Sequence, residues 1–286
     1  MNEPTAITNL VVIAITACFS YAGFVNSSFL HRYLFSTQSI LGQKQYYRLI
    51  SSGLLHADWT HLIFNMYSLY SFGSIVELGS GRVTFLAIYL AGIVGGNIVA
   101  LVLHRKYEYE AIGASGGVCG IIFACIFLFP GTSVRLFLIP IGIPAYIYAV
   151  IFMIGSYYGI RTERDNIGHD AHLGGAIIGL LTATALHPSI VPKNPVLYPV
   201  VLALAAVLFV LIYKRSIAFQ APHLWFDIRS LFRRKQTDYS DDDAQLERLL
   251  KKISDNGLNG LSKREKKLLE TISTRKRQVK KEGGML

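Results

Sequence analysis

Apolar residues gather along this chain in seven blocks, roughly 7–26, 60–79, 83–103, 113–130, 136–158, 170–187 and 195–213. An α-helix needs about 20 residues to cross a bilayer, at 1.5 Å per residue. The pattern therefore predicts an all-α polytopic membrane helix bundle. Proline and glycine punctuate it where helices should stop, in "LFPGTS" (128–133) and "LHPSIVPKNP" (186–195). The stretch 27–59 is mixed and aromatic, with Phe29, Tyr33, Phe35, Tyr46, Tyr47 and Trp59. It is too interrupted to span and reads as a partly embedded interfacial segment, since aromatic rings favour the headgroup zone.

Composition sharpens this reading. Of 286 residues, 52% are hydrophobic and 16% charged, against about 25% charged in a soluble domain. The first block lacks a basic n-region and a small-residue cleavage site, so it reads as a retained helix. Cys18, Cys119 and Cys125 all lie inside apolar blocks and read as small buried hydrophobes, not as a disulfide framework.

Charge separates off the C-terminal part. Residues 214–286 hold 18 of the 28 Lys and Arg and 10 of the 18 Asp and Glu, so +8 of the net +10 falls there. This part reads as a basic soluble tail. Leu246, Leu249, Leu250 and Ile253 keep helical spacing, and "DNGLNG" breaks it. Ser262 and Glu265 then stand as a capping box before Leu268, Leu269 and Ile272, which predicts a helical hairpin at 241–275. No base-reading motif accompanies the charge, so acidic lipid or a partner protein is expected as its contact, and not nucleic acid.

Polar groups inside membrane helices are costly and mark candidate function. His61 and Asn65 lie four apart, hence on one face of the second block. Ser115 opens the fourth block within "EAIGASGGVCGII" (110–122), and His172 lies near the start of the sixth. Blocks two, four and six start from the same side of the membrane, so these four residues should lie at one shallow depth. A serine, two histidines and an asparagine are parts for acyl transfer: a nucleophile, a base and oxyanion donors. Gly175 and Gly179 form a small-xxx-small face that lets another helix approach closely. If Gly116 and Gly120 of block four pack there, the Ser115 hydroxyl reaches His172. Asp170 is rejected as an orienting carboxylate, because residues two apart point to different faces. His56 and His169 read as loop or interface residues. Zinc is not expected: HExxH is absent, and His169, Asp170 and His172 do not share one face. No cofactor is implied.

At these residues the chain resembles the rhomboid family of intramembrane serine proteases. The resemblance covers roughly residues 45 to 187 and rests on "YYRLISSGLLHADWTHLIFN" (46–65), "GASG" (113–116) and "AHLGGAIIG" (171–179), in order and on the matching helices. It implies Ser115 as nucleophile, His172 as general base, and His61, Asn65 and the Ser115 N–H as oxyanion donors. Gly113 and Gly116 complete the turn into the helix, and Tyr47 and Arg48 look like the pair that anchors the first loop. It further implies a six-helix catalytic core (1–193), an additional transmembrane helix (194–213), and the tail (214–286). The expected substrates are transmembrane proteins, and the expected location is the bacterial cytoplasmic (inner) membrane, as a multi-pass protein. The alternative is a catalytically silent relative that binds transmembrane helices. One position departs from the pattern: some relatives carry an aromatic residue four after the serine, stacked under the histidine, and here that residue is Cys119. Charge counting by the positive-inside rule puts the Ser115 face in the cytoplasm. The resemblance implies the opposite face.

Overall fold

The structure, a computed structural model, describes residues 5–131, 133–135, 142–162, 168–218, 246, 248–254, 260–262, 264–270 and 272. The chain divides into two compact units, Met1–His223 and Leu224–Leu286.

In the first unit every apolar block contains a helix: α1 (Ile7–Val25), α5–α6 (Trp59–Ser68 and Ser74–Ser80), α7 (Arg82–His104), α8 (Ser115–Leu128), α9 (Ala145–Thr162), α10 (His169–Leu186) and, after the short α11 (Ile190–Lys193), α12 (Leu197–Ala218). A π turn, Leu69–Gly73, joins α5 to α6. By length and composition α1 and α7 can each cross a bilayer, while the apolar stretches of α8, α9 and α12 are shorter.

The structure corrects the sequence reading at the fifth block. Its helix begins only at Ala145, because a proline inside a helix costs about 3 kcal/mol and Pro144 immediately precedes it. Gly142–Pro144 (β4) instead pairs antiparallel with Ser133–Arg135 (β3), and residues 136–141 lie outside the described residues. With a second ribbon, Phe35–Ser36 (β1) on Glu110–Ala111 (β2), the unit is helical with two short strand pairs and not purely α.

The segment 27–59 folds into α2 (Ser27–Tyr33), β1, α3 (Thr37–Gln43), α4 (Arg48–Ser51) and a 3₁₀ turn (Ser52–Leu54). Arg48 gathers it. Its guanidinium is buried, donates to the carbonyls of His31 and Leu34 at 2.9 and 2.6 Å, and meets Gln45 Oε1 at 2.7 Å. A buried guanidinium is tolerated when its donors find oxygens, which Arg geometry favours. Its carbon Cζ lies 5.7 Å from the Tyr47 ring centre. Glu77 plays the matching part for α1, accepting the N–H groups of Thr8 and Asn9 at 3.0 and 2.7 Å. Those donors have no intrahelical acceptor, and a carboxylate suits the positive end of a helix.

At the centre lie α7, α8 and α10. Every residue of α8 from Gly116 to Leu128 is buried, as an all-apolar helix should be. The three helices touch backbone to backbone. A Cβ on Gly92 of α7 would stand 3.0 Å from the Gly116 carbonyl oxygen, and one on Gly179 of α10 would stand 2.9 Å from the Gly120 carbonyl carbon. Small residues are what permit such approach.

In the second unit, residues 246 and 248–254 are helical, as are 264–270 and 272; the rest of the predicted hairpin 241–275 lies outside the described residues. Leu249, Leu261 and Ile272 are buried. The Glu265 N–H donates to Ser262 Oγ at 3.2 Å, and the Ser262 N–H donates to Glu265 Oε2 at 2.8 Å, a reciprocal cap. The Lys252 ammonium, first, and then the Ser262 donors pull the Glu265 pKa down to about 2. Helix α12 runs to Ala218, past the tail boundary expected at residue 213.

Candidate active site

Ser115 is the first residue of α8. The residues before it are held from both sides. Ribbon β1–β2 ties residues 110–111 to the first loop, and the Gly113 N–H donates to the Ser52 carbonyl at 3.0 Å. Gly113 has φ +142°, and a Cβ there would stand 3.0 Å from His61 Cε1 and 3.4 Å from Ser115 Oγ. Both facts require glycine: side chains avoid that φ, and the space belongs to the site.

His172 lies one turn into α10, its N–H bonded to the Gly168 carbonyl at 3.0 Å. Its Nε2 is 2.6 Å from Ser115 Oγ, a short hydrogen bond between groups 57 residues apart in the chain. The contact depends on the glycine seam. A Cβ on Gly175 would fall 2.6 Å from the Gly116 carbonyl carbon, and one on Gly120 would fall 3.0 Å from the Gly175 carbonyl oxygen. Gly116 and Gly120 thus pack on Gly175 and Gly179.

His61 faces the serine across Gly113, with its Nε2 3.2 Å from the virtual Gly113 Cβ. Asp58 caps α5 by accepting the His61 backbone N–H at 2.8 Å, which fixes where this turn begins. Asn65 is buried one turn further on, and its Nδ2 donates to the His61 carbonyl at 3.0 Å. That bond uses one of two amide hydrogens. Ser115, His172, His61 and Gly113 are therefore brought together directly, and Asn65 is tied to them through the His61 carbonyl. Because α8 starts at Ser115, its first N–H groups have no intrahelical acceptor and are available to developing negative charge.

Three neighbours were not assigned to the site from the sequence. His56 is buried: its Nδ1 meets Ser20 Oγ at 2.9 Å, the Ala114 N–H points to its Nε2 at 3.5 Å, and its ring stands edge-on to His61 at 4.9 Å. Burial first, and the nearby His61 second, push its pKa down to about 3, so it is a neutral acceptor. Its place, five residues before His61 and directly after Leu54 and Leu55, was the available signal. Asp170 is buried and bonds His104 Nε2 at 2.8 Å; the His104 ring stacks on Tyr109 at 3.9 Å. The carboxylate thus serves the start of α10 and the end of α7. The third neighbour, His169, has its ring centre 6.0 Å from that of His172, with the two planes at 74°.

Apolar helices that set a half-buried serine hydroxyl against an imidazole define a helical membrane protein with a Ser–His pair. Comparison with known proteins specifies which. The Rhomboid domain profile matches residues 43–189, and the chain belongs to the rhomboid family. It is 34% identical over 166 residues to Rhomboid protease GluP of Bacillus subtilis (strain 168), covering 57% of this chain and 31% of that protein. It is 34% identical over 151 residues to RHOMBOID-like protein 12, mitochondrial, of Arabidopsis thaliana, covering 46% and 44%. With Rhomboid protein 1, mitochondrial, of Saccharomyces cerevisiae the identity is 26% over 157 residues, covering 54% and 45%. The chain spans less than half the length of these relatives.

Proposed function

We propose that this protein is an intramembrane serine protease, cutting a peptide bond in or near the transmembrane segment of membrane-protein substrates. The observation that carries the reading is the 2.6 Å contact between Ser115 Oγ and His172 Nε2. In this reading His172 takes the hydroxyl proton as Ser115 attacks the substrate carbonyl, then returns it to the leaving amine. His61, the second Asn65 N–H and the Ser115 N–H stabilise the tetrahedral oxyanion, and water releases the acyl-enzyme. An imidazole accepts a proton only when neutral, so cleavage should fall in acid. Gly113, Gly116, Gly175 and Gly179 act by keeping the two helices close enough for the transfer.

The assignment of catalysis to a six-helix core at 1–193, with 194–213 as an additional span and 214–286 as a tail, belongs to the same reading. So does residence in the bacterial cytoplasmic membrane, with the basic tail on acidic lipid or a partner protein. One of the relatives, from a bacterium, carries the word protease in its name.

Ser115→Ala decides the matter. Purified and reconstituted, the wild type should cleave a single-span model substrate and take up a fluorophosphonate probe on Ser115. The alanine variant should do neither while melting at the same temperature. A wild type no more active than the variant would leave only the silent, helix-binding alternative.

A further inference from the structure

We propose that His169 is a positioning residue for His172, supplying the flat wall that fixes the general-base ring, and that Gly159 exists to seat it. The inference rests on the proteolytic reading above and deepens it.

The second torsion of a histidine has a broad well, so nothing intrinsic fixes the direction of its ring nitrogens. A proton transfer over 2.6 Å needs that direction fixed. One turn beyond Ser115 stands Cys119, whose small side chain offers no ring face. A ring that meets His172 comes from its own helix. His169 and His172 are three apart on α10, which brings them to one side, and their rings lie 6.0 Å apart at 74°. This is the edge-to-face arrangement that aromatic rings prefer.

The His169 ring is itself held from outside α10. A Cβ on Gly159 of α9 would come within 2.5 Å of its Cγ and nearer still to its outer atoms. The imidazole therefore lies flush on the α9 backbone, where even alanine would displace it. Gly155, one turn earlier on the same helix, meets nothing within 4 Å. The closeness is thus local to Gly159 and not a property of the whole α9 contact. In this proposal His169 acts through His172.

Steady-state cleavage of a single-span substrate by the reconstituted full chain tests this. His169→Ala should lower kcat about 10- to 100-fold with KM within about twofold, the pattern of a misdirected base and not of lost binding. His169→Phe restores a flat ring and should return kcat to within about threefold of wild type, whereas His169→Leu fills the volume without the face and should stay slow. Gly159→Ala should slow the wild type and add nothing to His169→Ala, because both act on one ring. Should His169→Ala fail to fold, the Phe and Leu pair still decides. Equal rates in those two variants, a wild-type kcat in His169→Ala, or losses that multiply with Gly159→Ala would each overturn the inference. A wild type that neither cleaves nor labels at Ser115 would instead overturn the proteolytic reading and this inference with it.

Discussion

Adding one methyl group at Gly175 should separate the helices that carry the Ser–His pair. The new carbon would lie 2.6 Å from the Gly116 carbonyl carbon and 2.7 Å from its Cα. Carbon atoms rest at about 3.5–4.0 Å, so α8 and α10 must part by about 1 Å at this level. Neither of these atoms can rotate away, since both belong to the backbone. The Ser115–His172 bond, now 2.6 Å, would then lie beyond the roughly 3.2 Å limit of a hydrogen bond. A misplacement of about 1 Å can lower a rate about 10²-fold, and overpacking costs about 1–3 kcal/mol of stability. Gly175→Ala should therefore lose most of its kcat and melt lower in detergent. Gly42→Ala is the matched control: Gly42 lies in α3 with nothing within 4 Å, so its activity should be unchanged. Wild-type kcat and melting temperature in Gly175→Ala would refute the claim that backbone contact between α8 and α10 sets the geometry of the pair.

Two further outcomes follow from the surrounding side chains. Asp170→Ala leaves His104 without its carboxylate and should lower stability by about 1.5–3 kcal/mol, the range for hydrogen bonds to charged groups; Asp170→Asn should cost less, and an unchanged melting temperature in Asp170→Ala would contradict the bond's role. His56 gives a pH signature. Its folded pKa of about 3 lies below the ordinary value near 6.5, so below pH 6.5 the unfolded chain binds the extra proton. Its contribution is fully present above pH 6.5 and is lost as pH falls toward 3, reaching about 2 kcal/mol at pH 5. Melting temperatures at pH 7.5 and 5 should diverge more in the wild type than in His56→Gln, and equal slopes would sink the assignment.

The long helices were legible because each is written as a nearly unbroken apolar run, and bilayer thickness fixes how long such a run must be. Apart from the family resemblance, the pairing of Ser115 with His172 was accessible through helix counting and the glycine faces, because no local pattern links residues 57 apart. The first loop resisted reading for a physical reason. Its short helices have little amphipathic signal, and their arrangement depends on Arg48 reaching carbonyls 14 and 17 residues back. Strand β4 was hidden inside the fifth apolar block and its partner β3 lay between two blocks, although Pro144 marks where the helix could begin. Asp170 was correctly separated from His172 by helical geometry, but its partner His104 lies 66 residues away. His56, read as a loop or interface residue, stands against the His61 ring because of folding contacts that spacing does not encode, whereas His169, read the same way, lies three residues before His172 on one helix, a spacing that brings the two rings to one side.

Helix α8 has 14 residues, about 21 Å at 1.5 Å each, against a hydrocarbon slab about 30 Å thick. A rod too short for the slab must leave one end under the lipid surface, and its serine is at an end. In the proposed protease the depth of the Ser115 hydroxyl would then be set by subtraction, with lipid thickness as a variable of the chemistry: longer acyl chains would sink it further from water, and shorter ones would raise it toward the interface.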